Sequence, residues 1–377
     1  MNPEKAFKYD VLINAEDLCD REFEQQDFLK RAKAKKRTIV FAPRRYGKTS
    51  LIKNVVGNSF FNLSRNHLVL FFDLMDVQSM ESIAKRLHHG ITQALSRRFP
   101  VKTLLKNATD YLKGFSLQMD MDPVTGQPSL SMNVKGREVE NEMTHLMAAI
   151  KTLSQKYPTL IILDEFHDIT FVPEAEALFR GVLQELGESA VFILGSKRHL
   201  LTLMFQDARA PLFQYGDEIH LNPIALEDWL DYFRERMTPN KIIIGEEELK
   251  WILETLCDVP NAICEFGAWL LDNIPSGMTL SVGVIKQSLD LMVENKQSYA
   301  YMLQGYTEKE LDLMTVIAKN KFTLEPHAES FLKLIRVSKS TVGKIVKKFM
   351  DRGLIEYELE KGYRLSDPLM GHYLATR

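Results

Sequence analysis

Thr38-Ile39-Val40-Phe41-Ala42-Pro43-Arg44-Arg45-Tyr46-Gly47-Lys48-Thr49-Ser50-Leu51-Ile52-Lys53-Asn54-Val55 runs from an apolar strand through a polar bend into a helical segment. A phosphate-binding loop needs these parts in this order: a buried strand, a bend whose amides point inward, a lysine, a hydroxyl residue and a helix leading out. Gly47 lets the backbone approach an anion closely. Lys48 is expected to hold β and γ phosphates and Thr49 to place its hydroxyl on Mg²⁺. Pro43, Arg44, Arg45, Tyr46 and Ser50 complete the expected contact set, with the helix dipole from Ser50 onward facing the anion. ATP with Mg²⁺ is the expected ligand. Ala42 stands where the pattern G-x-x-x-x-G-K-[ST] has its first glycine, and the competing reading is a chance Gly-Lys-Thr in a strand-to-helix turn.

A second segment weighs against chance. Leu160-Ile161-Ile162-Leu163 is an apolar strand that ends in Asp164-Glu165, and open α/β sheets bind ligands at the carboxyl ends of their strands. Asp164 is expected to orient Mg²⁺ or its water, and Glu165 to polarise an attacking water as general base. Acids also follow buried strands as solvated loop starts, so the pair draws its meaning from the lysine loop upstream. A third strand, Ala190 to Leu194, runs into Gly195-Ser196-Lys197-Arg198. Ser196 is a candidate sensor of the γ-phosphate, or else a serine in an ordinary turn.

Working outward, Thr38 to Ala42, His67 to Asp73, Thr159 to Asp164, Ala190 to Gly195 and Glu218 to Leu221 are nearly continuous apolar runs separated by helical periods. That is the signature of a parallel sheet covered by helices, an α/β class. Phe115 to Asp122 and Ser129 to Val134 alternate around Pro123–Pro128 and predict an inserted hairpin, either a surface decoration or a contact element for a partner. From Leu226 to about Leu303 the pattern is helical.

The 377 residues exceed one core's usual size, so two or three domains are expected. The composition, 45% hydrophobic and 26% charged with net charge −2, excludes a disordered or fibrous chain. Cys19, Cys257 and Cys264 show neither a disulfide framework nor zinc spacing. No apolar run reaches the roughly 18 to 20 residues of a membrane span, and the expectation is a cytoplasmic protein without membrane contact.

Near the C-terminus, Ser338-Lys339-Ser340-Thr341 opens a helix with Val342, Ile345, Val346 and Phe349 on one face and Gly353 beyond its end. Lys333, Arg336, Lys339, Lys344, Lys347 and Lys348 occur between Phe331 and Phe349 without an acid. This looks like a helix-turn-helix recognition helix, with Ser340, Lys344, Lys347 and Lys348 as candidate contacts to double-stranded DNA. In the following hairpin Glu356, Glu358 and Glu360 alternate. An acidic wing face of that kind repels DNA, and a protein partner is the alternative target.

Together these segments resemble the archaeal-type ATPase family, a branch of the AAA+ and STAND NTPases. Leu18-Cys19-Asp20-Arg21-Glu22 is similar to the motif before its first helix, Ala42 to Leu51 to its G-P-R-R-x-G-K-T-S-L, and Leu163-Asp164-Glu165-Phe166-His167 and Leu194-Gly195-Ser196 to its acidic and sensor segments. The resemblance implies a P-loop NTPase core over 1–225 with a hairpin insertion near 115–135, an all-α lid over 226–303 and a winged helix over 304–377. It implies ATPase activity, slow or partner-stimulated, used as a nucleotide-dependent switch coupled to DNA. The alternatives are a nucleotide-binding scaffold that recruits a protein, and a dead site kept for folding. His167 stands where the family has glutamine, with a γ-phosphate role, a partner-facing role or a plain loop position open to it. Asp258-Val259-Pro260-Asn261 resembles the lid motif in which proline opens a helix facing the nucleotide, which makes Pro260 a candidate contact. Pro211-Leu212-Phe213-Gln214-Tyr215-Gly216-Asp217 lacks the family's arginine, for which Arg209 and Arg198 lie nearby. Oligomeric state is left open by the sequence.

Overall fold

A computed structural model describes residues 6–100, 115–121, 128–134, 139–326, 328, 329, 331, 332, 337–358 and 360–377. The chain divides into two compact units: Glu22–Ala42 with Lys48–Leu221, and Met1–Arg21 with Pro43–Gly47 and Asn222–Arg377.

The first of these is a five-stranded parallel sheet of β1 (Arg37–Phe41), β2 (Leu68–Asp73), β5 (Thr159–Asp164), β6 (Ala190–Gly195) and β7 (Asp217–His220), in the order β2-β5-β6-β1-β7. The three central strands are almost wholly buried, which is why they read as uninterrupted apolar runs. The edge strands depart from that expectation. β2 buries alternate residues and β7 is mostly exposed, because an edge strand is covered less completely. Helices α1 (Glu22–Lys33), α2 (Gly57–Asn62), α3 (Met80–Arg98), α4 (Val139–Lys156), α5 (Ala175–Glu185) and α6 (Arg198–Gln206) belong to this unit. Gly90 of α3 lets the helix pass against β2, since a Cβ there would lie 2.4 Å from the Phe71 carbonyl oxygen. The inserted hairpin is present as β3 (Phe115–Met121) paired antiparallel with β4 (Pro128–Val134); its expected turn lies outside the described residues.

The second unit contains helices α7 (Leu226–Met237), α8 (Glu246–Thr255), α9 (Pro260–Asn273), α10 (Val282–Glu294) and α11 (Gln297–Leu303), then a winged helix. Its N-terminal segment is pinned onto α7: Phe7 packs edge-on against Tyr232 and Phe233, the Tyr232 hydroxyl donates to the Asp17 carbonyl, and Arg21 donates to the Asn222 carbonyl at 2.6 Å. In the winged helix, α12 (Glu308–Asn320) starts with a Thr307–Glu310 capping box, and α13 (Lys339–Asp351) starts on the Ser338 hydroxyl, which accepts from the Thr341 amide. Gly353, at φ +66°, turns the chain into the wing of β8 (Ile355–Glu358) and β9 (Gly362–Leu365). A bridge from Thr323 to Tyr363 extends the wing, and α14 (Pro368–Ala375) closes the chain.

Candidate functional site

Parallel register sets the chemistry of the sheet edge. Because β1 pairs with β6 and β6 with β5, the residues after Phe41, Leu163 and Leu194 emerge together at the carboxyl ends of three adjacent strands. Lys48 and Thr49 follow the bend, and Asp164, Glu165 and Ser196 follow β5 and β6.

The predicted residues of this unit meet in one hydrogen-bonded cluster. Lys48 Nζ lies 2.8 Å from Glu165 Oε1 and 3.5 Å from Asp164 Oδ1. Thr49 Oγ1 donates to Asp164 Oδ2 at 2.6 Å, and Ser196 Oγ donates to Glu165 Oε2 at 2.9 Å. Ser196 therefore touches the expected general base directly. Ser50 is buried at the start of a π-helical stretch, Ser50–Val56, that runs into α2. Glu165 adopts a left-handed backbone, φ 47°, a strained conformation for a non-glycine residue and one that collects at functional sites.

Electrostatics follow from burial and pairing. Burial alone pushes the Lys48 ammonium down, but Glu165 and Asp164 outweigh it and raise its pKa. Burial pushes Glu165 up, and the charges of Lys48 and His167 with the Lys48 and Ser196 hydrogen bonds overcome it, holding the carboxyl at about 2. Glu165 is thus held as an anion, and its proton affinity is low while Lys48 stays on it.

His167, for which the sequence leaves open a γ-phosphate role, a partner-facing role and a plain loop position, is buried, with Nδ1 3.4 Å from Glu165 Oε2 and Nε2 3.2 Å from Asp168 Oδ1. Asp168 is held by Lys197 Nζ at 3.1 Å and by the Asp76 amide at 2.9 Å. Asp168 and Lys197 were not singled out by sequence reasoning; the signal available was a second acid and a second cation one turn from motif residues. Arg209 does not fill the missing arginine position, because it is exposed and paired with Asp207 at 3.1 Å.

The residues Pro43–Gly47 belong to the other unit. Gly47 has φ +76° and open space where a Cβ would stand, as a bend that admits a phosphate requires. Arg45 is also left-handed, φ 63°, and its carbonyl accepts from the Asn261 amide at 3.3 Å. Pro260 is the first residue of α9, where it sets the helix start. The contact to the bend at Arg45 is made by its neighbour Asn261. The Arg44 amide donates to Glu356 Oε1 at 3.2 Å, and the Arg44 guanidinium lies against Gly353 so closely that a Cβ there would be 2.3 Å from Nη1. Tyr46 is buried, and its phenol is pushed up by burial and by the charge of Glu358.

The acidic wing face is therefore not a solvent face. Glu356 and Glu358 turn inward onto Arg364, which is fully buried, with Arg364 Nη2 3.2 Å from Glu356 Oε2 and its Nε donating to Glu358. The four candidate contacts on α13 are not alike. Ser340, Lys344 and Lys347 are exposed, but Lys348 Nζ pairs with buried Glu310. Lys333 and Arg336 lie outside the described residues.

For Mg²⁺, the donor set fits: a hydroxyl and a carboxylate already within contact of one another supply hard oxygen ligands, the usual protein share of a site completed by phosphate and water.

Residues 297–376 match a family model described as a probable winged helix domain. A comparison with curated proteins returns no match. Among solved structures, the chain is similar to the Walker-type ATPase of Pyrococcus abyssi, with TM-score 0.61 and 19% identity over 98% of this chain and 99% of that one. It is also similar to the Aeropyrum pernix ORC2 protein, with TM-score 0.54 and 14% identity over 100% and 96% of the two chains. The Aeropyrum pernix ORC1 protein in complex with DNA superimposes with TM-score 0.52 and 10% identity over 99% and 96%. The chain has the AAA+ P-loop fold with a C-terminal winged helix. Among the described residues of this AAA+ fold, no helix is long and apolar enough to cross a membrane.

Proposed function

We propose that this chain binds ATP with Mg²⁺ and hydrolyses it to ADP and phosphate, acting as a nucleotide-dependent switch coupled to double-stranded DNA through the winged helix. The carrying observation is the convergence of Lys48, Thr49, Asp164, Glu165 and Ser196 in one hydrogen-bonded, largely buried cluster. Thr49 and Asp164 would hold Mg²⁺, which supplies charge neutralisation at the β and γ phosphates. Lys48 leaves Glu165 for the phosphates. Glu165, oriented by Ser196, then accepts a proton from the attacking water. Pro43, Arg44, Arg45, Tyr46 and Gly47 shape the loop that receives the phosphates. A difference in ATP and ADP affinity between two states supplies the coupling.

The DNA side rests on exposed Ser340, Lys344 and Lys347 and on the internal use of the wing acids, which removes the repulsive face expected from sequence. A second reading, a nucleotide-binding scaffold that recruits a protein, is favoured by Lys348 pairing with Glu310 and by Arg209 pairing with Asp207.

The deciding experiment is Glu165→Gln with steady-state turnover and nucleotide titration. Turnover is expected to fall by about 10²-fold or more. ATP binding is expected to hold or tighten, because Lys48 is released from its carboxylate partner. A wild-type chain that binds ATP and never hydrolyses it, with or without DNA, defeats the hydrolytic reading and leaves the scaffold.

A further inference from the structure

His167 is buried, yet its Nδ1 makes no hydrogen bond while standing 3.4 Å from Glu165 Oε2. Its ring is held at the other nitrogen. Nε2 is 3.2 Å from Asp168 Oδ1, and Asp168 is itself fixed by Lys197 and the Asp76 amide. The His167 carbonyl accepts from Thr170 Oγ1 at 2.7 Å. The ring also lies on bare backbone, since a Cβ on Gly195 would stand 2.9 Å from Nδ1. An idle ring nitrogen has thus been anchored within about half an ångström of hydrogen-bonding distance from Glu165.

Its use follows from what Lys48 must do. In the present arrangement Lys48 neutralises Glu165 from the Oε1 side, while Ser196 occupies Oε2. A phosphate at the loop takes Lys48 away, and a buried carboxylate stripped of its cation is strongly destabilised. Held by Ser196 alone, it is free to swing out of register, which ends its service as a base.

We propose that His167 is a positioning residue that takes Glu165 over from Lys48 when nucleotide arrives, with Asp168 and Lys197 holding its ring for the exchange. The inference rests on the ATPase reading above. With Nε2–H directed at Asp168, the ring carries a second proton on Nδ1 only as the imidazolium, and in that form Nδ1–H donates to Glu165 as Lys48 departs. The base keeps its aim.

Two variants separate the ring nitrogens. In His167→Asn the amide nitrogen replaces Nδ1, and in His167→Gln it replaces Nε2. Steady-state kinetics should show kcat reduced about 100-fold in the Gln variant, the scale of a misplaced catalytic group, with KM and affinity for a non-hydrolysable ATP analogue unchanged. The Asn variant should recover most of that loss. ¹⁵N spectra of histidine-labelled wild-type chain should show the His167 Nδ1 signal become that of a hydrogen-bonded N–H on addition of the analogue with Mg²⁺. Equal losses in the two variants, a loss shared by nucleotide affinity, or an Nδ1 signal that ignores the analogue overturns the proposal. A wild-type chain that turns over no ATP but shifts Nδ1 on loading defeats hydrolysis and retains the handover. An active chain with Nδ1 unmoved does the reverse.

Discussion

Replacing Arg364 by Met tests whether the wing is built on a buried ion cluster. Arg364 has no exposure and neutralises Glu356 and Glu358, which sit across the hairpin and on the neighbouring position of the same face. Burial already pushes the Glu356 carboxyl up in the presence of Arg364 and the Arg44 amide. Without the guanidinium a buried carboxylate can at best escape by protonation, which costs about 1.36 kcal/mol per pH unit above its ordinary value near 4.3. For one acid that is about 3.7 kcal/mol at pH 7 and about 1 kcal/mol at pH 5. The first figure agrees with the 3–5 kcal/mol typical of breaking a buried pair. At roughly 2–4 °C per kcal/mol for a body of this size, the melting midpoint of the winged-helix unit should fall by about 6–20 °C at pH 7. The sign of the pH effect is fixed: a carboxyl whose folded pKa is raised contributes stability below its unfolded pKa and loses it as pH rises. The deficit of the variant must therefore shrink on acidification from pH 7 to 5. Thermal melts followed by circular dichroism at the two pH values measure this, and adding Glu356→Gln and Glu358→Gln should restore most of the midpoint. A single variant within about 2 °C of wild type, or a deficit that grows with acid, would refute the buried cluster.

Alanine at Lys344 and Lys347 together should lower affinity for double-stranded DNA and flatten the slope of log K against log salt by about two, measured by fluorescence anisotropy; an unchanged slope removes DNA from the proposed function. Lys348→Ala should instead leave that slope in place and lower the melting midpoint, since it strands Glu310. The Lys48–Glu165 cluster and the His167–Asp168–Lys197 chain lower the carboxyl pKa values of Glu165 and Asp168, Glu165 to about 2. Lowered carboxyl values contribute stability above the unfolded pKa and lose it as pH falls through the folded one, so the core should weaken progressively below about pH 4.5. Glu165→Gln should flatten part of that acid limb.

The strands were legible because burial on both faces writes an unbroken apolar run, and the phosphate loop because its chemistry is confined to consecutive residues. Thr159–Asp164 and Ala190–Gly195 coincide with the runs read from sequence, whereas the edges do not share their burial. The site's supporting residues were harder to read for a geometric reason. Glu165 turns left-handed, and a 3₁₀ turn over Phe166–Phe171 then folds His167 and Asp168 back beneath the carboxylate they follow. Adjacent positions in a loop give no periodicity from which that reversal can be inferred. Asn261 was hidden by its own neighbour, since Pro260 explained the helix start and drew attention from the residue that meets Arg45.

The wing shows how charge alternation misleads when pairing is ignored. Glu356, Glu358 and Glu360 alternate, and alternation ordinarily marks a solvated strand face. Hairpin register changes the meaning, because the turn places Arg364 directly opposite Glu356 and one residue pair from Glu358. The shared face then carries a cation with two anions, and such a group tolerates burial where three acids do not. Glu360, outside the paired residues, is the one that stays exposed. The same register leaves a second Glu356 oxygen free to accept the Arg44 amide. A carboxylate placed by a hairpin 312 residues downstream in the sequence thus holds the backbone at Arg44. The acidic pattern is part of how this fold secures the backbone at Arg44.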